Sequence, residues 1–177
     1  ALPSGTGPRT ISLWINHDGV TDTFGSFFNY GGEESGGGLV MGTSFMLGWN
    51  ATAAKMTIGR YGANASASSS TTITAGVWHH VAITYAGGNI VYYLDGVADG
   101  TATLALDTTV GDPDNGKFRI GNGLALWAEQ LYNGKIDDVA AFNSALSAAQ
   151  ILAIYNGGTP ESLAPYNPTV WWRMGDG

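Results

Sequence analysis

The stretch from Val77 to Gly96, VWHHVAITYAGGNIVYYLDG, decides the fold. Val81, Ile83 and Tyr85 alternate with Ala82 and Thr84; after Ala86-Gly87-Gly88-Asn89 the alternation resumes, with Ile90, Tyr92 and Leu94 set against Val91, Tyr93 and Asp95. Period 2 on both sides of a glycine pair predicts two antiparallel strands joined by a hairpin, because the glycines allow positive φ where the chain reverses. Asp95-Gly96 supplies a second tight turn, so the stretch predicts a meander.

Working outward, the same alternation recurs at Ile11 to Ile15, with Ile11, Leu13 and Ile15 on one face and Trp14 on the other. Further strands are predicted at Phe24 to Tyr30, Leu39 to Trp49, Lys55 to Tyr61, a short one around Thr71 to Thr74, Lys117 to Gly121, and a last one in Pro168 to Gly177. Val97 to Leu106 alternates weakly. Between these lie a glycine-rich turn at Gly31 to Gly38 with Glu33 and Glu34 as a solvated tip, a small-residue loop at Ala63 to Ser70, and the turn cluster Gly111 to Gly116. Asn122 to Asn133, bounded by glycines, reads as a long loop. Only one segment reads as helix. Ser147-Ala148-Ala149-Gln150 is a capping box flanked by the staple pair Leu146 and Ile151, Ile151, Ile154 and Tyr155 form one apolar face, and Asn156-Gly157-Gly158 is a left-handed stop. The expectation is a two-turn helix over 148–155, packed on the edge of an antiparallel β-sandwich.

Composition agrees. The 177 residues fit one domain spanning 1–177, and 27 glycines supply turns at the spacing of an all-β sandwich. Seven Lys and Arg stand against fourteen Asp and Glu, so the net charge of −7 excludes nucleic acid and anionic membrane surfaces as partner classes. No apolar run approaches the ~18 residues that would span a bilayer, so no membrane insertion is expected. The absence of cysteine excludes disulfides and thiolate metal sites. The chain begins at Ala1 without Met and is expected to be a mature product or a piece of a longer protein.

Two motifs carry a resemblance. Trp78-His79-His80-Val81-Ala82, a glycine turn and Tyr93-Leu94-Asp95-Gly96 resemble the signature hairpin of laminin-G-like, concanavalin A-like jelly rolls; Asn133-Gly134-Lys135-Ile136-Asp137-Asp138-Val139 followed by Ala145 to Ile151 resembles that family's "G-x-I-D-[ED]-V … A-L-S-x-x-E-I" ending. Ile11 to Ile15 and Phe118 to Gly121 resemble its "T-I-S-x-W-I" and "F-x-I-G" strands, and Trp14 and Trp78 match its buried positions. A "Y-W-x-[FL]-D-x-G" pattern that usually opens such a domain is here matched at the far end, around Val170 to Asp176, which implies a shifted start point or truncation into a neighbouring repeat. The run from Ile154 to Asp176 resembles laminin-G-like domains of phage and marine bacterial surface proteins. The resemblance implies a jelly-roll lectin/glucanase fold located on an extracellular or virion surface. The partners it implies are a glycan, a cell-surface polysaccharide, or neighbouring virion or surface subunits.

Three functional classes follow: a non-catalytic carbohydrate-binding or adhesion module, a structural or decoration module without glycan binding, and a polysaccharide hydrolase. Related hydrolases place acids in an E-x-D-x-x-E strand pattern, where period 2 aligns carboxylates on one face at the ~5–5.5 Å that retaining cleavage requires. None of the four Glu, at 33, 34, 129 and 161, begins that pattern, and no Gly-x-Ser-x-Gly motif is present, so the chain is read as not an enzyme. His79 and His80 face opposite ways on a strand and are read as structural.

Ile136 and Val139 are apolar but three apart, which breaks the alternation and predicts a bulge at Asp137-Asp138. The resemblance implies a structural calcium near this motif, with Asp137 and Asp176 carried over as ligands, where a calcium ion would want six to eight oxygens; the other reading is that Asp137 caps neighbouring amides. Asp112, Asp114 and Asn115 share part of a calcium-loop spacing, but Pro113 favours a simple turn. For a glycan, the stretch from Asn122 to Asn133 is the predicted specificity loop: Trp127 would stack on a sugar ring, with Tyr132, Asn122 and Glu129 as neighbours. Trp127 and Tyr132 have the alternative of folding inward as loop anchors. Trp49 and Tyr61 are lesser ligand candidates.

Overall fold

The computed structural model describes residues 1–19, 25–32, 44–50, 54–60, 62–110, 118–123 and 131–175. Among these, the strands in chain order are β1 (Arg9–His17), β2 (Gly25–Tyr30), β3 (Phe45–Asn50), β4 (Lys55–Arg60), β5 (Ala63–Asn64), β6 (Trp78–Ala86), β7 (Asn89–Leu94), β8 (Val97–Thr103), β9 (Phe118–Ile120), β10 (Gly134–Phe142) and β11 (Val170–Trp172), with helix α1 (Ala148–Tyr155) between the last two. They form two antiparallel sheets, ordered β11-β10-β1-β6-β7-β8 and β5-β4-β3-β2-β9. The chain is an all-β sandwich with one short helix.

The hairpin that opened the sequence reading is the middle of the larger sheet. Ala86 pairs with Asn89 and Leu94 with Val97, so each connection has two residues, and all four turn residues have positive φ (Gly87 56°, Gly88 87°, Asp95 49°, Gly96 78°). Such tight turns match the natural strand twist and fix register. Val81 faces Leu94, Ile83 faces Tyr92 and Tyr85 faces Ile90, while Ile11 and Leu13 of β1 face Ile83 and Val81. These inward side chains meet Phe28, Tyr30, Phe45, Leu47, Trp49, Met56 and Ile58 of the other sheet in the main core.

The central strands of the larger sheet are buried on both faces. The sheet's outward residues Ala82, Tyr93, Ala140 and Phe142 pack with Leu146, Ile151, Ile154 and Leu163 in a second core. The helix therefore lies across the sheet's outer face, over its central strands, and not on the sandwich edge as the sequence suggested. Its start is the expected capping box: Gln150 N–H donates to Ser147 Oγ at 3.3 Å, and Ser147 N–H donates to Gln150 Oε1 at 2.9 Å. Asn156 in the left-handed region ends it. Burying Ile151 and Ile154 contributes roughly 1.5–3 kcal/mol each, more than so short a helix gains from propensity. Gly96 is required for this docking, since a Cβ there would lie 3.0 Å from Leu152 Cδ1 and from Tyr155 Cβ.

Two expectations for the stretch before the hairpin are corrected. Ala63–Asn64 pair with β4 as a strand, and Thr71 to Thr74 form none; only Ile73 of that stretch is buried. The segment after β5 is bonded to both sheets. Ser69 N–H donates to Met56 O at 2.9 Å and Met56 N–H donates to Ser69 Oγ at 3.0 Å, while Ser66 N–H and Ser70 N–H donate to the carbonyls of Thr103 (3.0 Å) and Asp99 (2.7 Å). It closes the side of the sandwich where β8 and β4 end. On the opposite side Phe118 of β9 and Trp172 of β11 stack with centroids 4.5 Å apart, joining the two edge strands.

Trp78 is a further correction: it is 42% exposed, not buried. Alternation from His80 puts it on the outer face, where it pairs across from Asn16. The outer cover ends at Tyr155 stacked on Trp14 (5.9 Å), one row short of Trp78.

Candidate functional site

The chemistry-bearing residues of the central hairpin are bound to one another. Asp95 accepts from His79 Nδ1 at 2.8 Å and from His80 N–H at 2.9 Å, and its own N–H donates to His80 O at 2.8 Å. The carboxylate of the turn thus clamps the start of β6. His80, fully buried, shares a 2.8 Å hydrogen bond with Ser12 Oγ and packs beside Trp14 (5.4 Å). Burial pushes its pKa down to about 4, against the opposing pull of the Asp95 charge. A Ser–His contact sealed in this way has no route to a substrate, and both histidines are structural.

The spacing break at Ile136 to Val139 is a bulge. Ser12 faces Ala140 and Trp14 faces Asp137, so Asp138 and Val139 together oppose Leu13, and Asp138 adopts φ 46°. The bulge sends the two carboxylates to different tasks. Asp137 Oδ1 accepts from Asp138 N–H at 2.8 Å and Met174 N–H at 3.1 Å, capping neighbouring amides, whereas Asp138 Oδ1 accepts from Trp171 Nε1 at 2.9 Å. Together they fasten β11 to β10. Among the described residues no three His, Asp or Glu gather as a metal set. Asp137 thus brings one already hydrogen-bonded carboxylate to a calcium shell of six to eight oxygens, and Asp176 lies outside the described residues.

Of the predicted glycan contacts, Trp127 and Glu129 also lie outside the described residues, as do Tyr61, Asp112, Asp114 and Asn115. Asn122 is exposed, and its carbonyl accepts from Asn29 Nδ2 at 2.8 Å. Tyr132 turns inward: it is 9% exposed, stacked on His17 (5.8 Å) and edge-on to Phe27 (4.9 Å), and burial, reinforced by the Asp18 charge, holds its phenol above the usual range. Its ring is an anchor without a free face for a sugar. Trp49 is likewise buried, 4.0 Å from the His17 ring. Tyr132 N–H donates to Gly121 O at 3.0 Å and Gly121 N–H to Phe27 O at 3.0 Å. The two ends of the Trp127-bearing stretch are therefore hydrogen-bonded to each other and to β2.

The sequence profile of the concanavalin A-like lectin/glucanase superfamily, in its laminin-G form, matches residues 2–152. The chain belongs to that superfamily. Strand β11 lies beyond the matched span of this concanavalin A-like chain, yet Trp172 joins its main core and Trp171 its second. No curated protein matches it in sequence. Among solved structures it is similar to a candidate carbohydrate-binding protein of Bacteroides ovatus (TM-score 0.69, 20% identity), covering 98% of this chain and 47% of that one, so it spans about half that relative's length. It is also similar to the sialidase module CBM40 of Ruminococcus gnavus bound to α2,3-sialyllactose (0.67, 12%, covering 85% and 84%). A third is domain 4 of AbnA, an extracellular arabinanase of Geobacillus stearothermophilus, with arabinotriose (0.60, 19%, covering 86% and 68%). At these identities the likeness is one of fold.

Proposed function

We propose that this chain is a non-catalytic carbohydrate-binding or adhesion module of a larger extracellular or virion surface protein, with the stretch Asn122 to Asn133 as its specificity loop. The observation that carries the reading is the closure of that stretch by the Tyr132–Gly121 hydrogen bond, with Tyr132 anchored in the core. A loop clamped at both ends on a rigid sandwich can vary without disturbing the fold. The superfamily's use by lectins and the three carbohydrate-named relatives support it, and the missing E-x-D-x-x-E pattern speaks against hydrolysis.

A glycan array tests the reading, paired with polysaccharide incubation and detection of new reducing ends. Binding without cleavage supports it; an array without hits assigns the chain to a structural role in its parent assembly, and new reducing ends would make it a hydrolase. Trp127→Ala is expected to weaken glycan binding about tenfold or more while the melting temperature moves by less than ~2 °C. A large fall in melting temperature with binding intact would make Trp127 an anchor and place docking elsewhere.

A structural calcium at Asp137 and Asp176 is a further part of the proposal. An ion that binds only the folded chain raises its stability by about 2.7 kcal/mol at 100 times Kd. The melting temperature is expected to rise with added calcium and to fall when it is chelated. An unchanged melting curve after exhaustive chelation, with no metal by elemental analysis, would remove it.

A further inference from the structure

The bulge that re-aims Asp138 also shapes a cleft on the outer side of the larger sheet, at its β11 edge. Asp138, Pro160, Glu161, Ser162 and Arg173 line a space of about 180 Å³. Pockets that enclose drug-sized ligands run to ~300–1,000 Å³, so this one has room for a single ring. Its lining is built for hydroxyls: two carboxylates accept, a guanidinium donates, and the Ser162 hydroxyl does both. The groups come from three separate segments of chain. Asp138 is oriented by the Trp171 indole N–H at 2.9 Å, and the Arg173 guanidinium lies 5.2 Å over the same indole ring. Asp138 itself sits at φ 46°, a conformation that side-chain-bearing residues adopt rarely and that clusters at ligand sites. Two negative groups against one positive disfavour an anionic occupant.

We propose that the cleft between the β10 bulge, residues 160–162 and Arg173 is a binding subsite for one uncharged pyranose ring, distinct from the Asn122 to Asn133 stretch. This rests on the glycan-binding reading above and adds a location and a ligand class to it. Adjacent ring hydroxyls would donate to Asp138 and Glu161 and accept from Arg173, as vicinal diols do toward mixed carboxylate and guanidinium groups.

The Trp171 indole N–H gives the cleft its own spectroscopic reporter. In a titration of the folded chain with methyl glucoside, methyl galactoside, methyl mannoside and, for contrast, a methyl glucuronide, at least one neutral glycoside is expected to shift the Trp171 indole resonance saturably, and more tightly than the glucuronide does. Glu161→Gln and Arg173→Met, both at exposed positions, are expected to weaken that binding about tenfold each, as loss of a charged hydrogen-bond partner does. If glycosides perturb other indoles but not Trp171, or if the Glu161 and Arg173 variants bind as the parent does, the subsite is refuted and the binding-module reading stands. If no glycoside shifts any resonance but oligosaccharides bind on the array, the subsite alone falls; if neither assay detects binding, both fall.

Discussion

Arg9→Ala is expected to remove about 3–5 kcal/mol of stability, because it leaves buried acceptors without donors at roughly 1–3 kcal/mol each. Arg9 is fully buried, and its guanidinium donates from Nε to Gly7 O (3.1 Å), from Nη1 to Tyr30 Oη (2.9 Å) and Thr108 Oγ1 (2.8 Å), and from Nη2 to Gly5 O (2.7 Å) and Gly7 O (3.0 Å). It also lies 5.3 Å from the Tyr85 ring centre and 5.8 Å from that of Phe45. These partners are carbonyls, hydroxyls and ring faces, none of them anionic: burial pushes the Tyr30 phenol up to about 12 although the Arg9 charge opposes it, so Tyr30 stays neutral. A bare charge in such a place would be prohibitive; five hydrogen bonds to four acceptors and two π-faces offset its desolvation. Truncation removes a donor from each of those acceptors and loosens the isolated bridge between Gly5 and Thr108. Arg9→Lys should recover less than half of the loss, because one ammonium cannot reach acceptors spread around a planar fork. Guanidinium denaturation with an unchanged slope measures both; a loss under ~1 kcal/mol for Ala would show that the interior repacks around the gap.

The second large effect is on acid stability. An unfolded histidine takes up its proton near pH 6.5, whereas buried His80 does so only near 4. Between those values the unfolded chain binds the extra proton, so stability from this group is complete above pH 6.5, falls as pH drops toward 4, and changes no further below it. Over that window the loss is roughly 3 kcal/mol. His80→Gln, which keeps a polar partner for Ser12, is expected to flatten the fall between pH 6.5 and 4 after a penalty at neutral pH. The same slope in the variant would assign the acid sensitivity to other groups.

Much of the fold was legible because local chemistry and tertiary packing agree. The two-residue turns, the capping box over 148–155 and the bulge at Asp137-Asp138 were each readable from spacing alone, and each is present. What failed was coverage. Sequence fixes the face on which Trp78 lies but not where the helix cover ends, and a matching family position could not supply that. Thr71 to Thr74 carries a single apolar residue, so Ile73 could be buried by a loop whose backbone bonds go to Ala54 and Asp99 instead of to a strand partner. In the candidate site, Tyr132 read from sequence as a loop aromatic; its packing edge-on to Phe27 shows only in three dimensions. The cleft at Asp138 drew on Glu161 and Arg173, which no motif joins to it.

The closure of the sandwich's two open sides has a consequence for crowded settings. A bare strand edge is a template for another chain, and repeated domains held at high local density are where such templates fuse into fibrils. Here the outer edge of β8 is occupied by Ser66 and Ser70, and the opposite edge ends in a strand of three residues roofed by the Phe118–Trp172 stack. A copy packed against the β8 side would therefore meet backbone carbonyls that already accept hydrogen bonds, and on the other side a strand too short to template a long ladder.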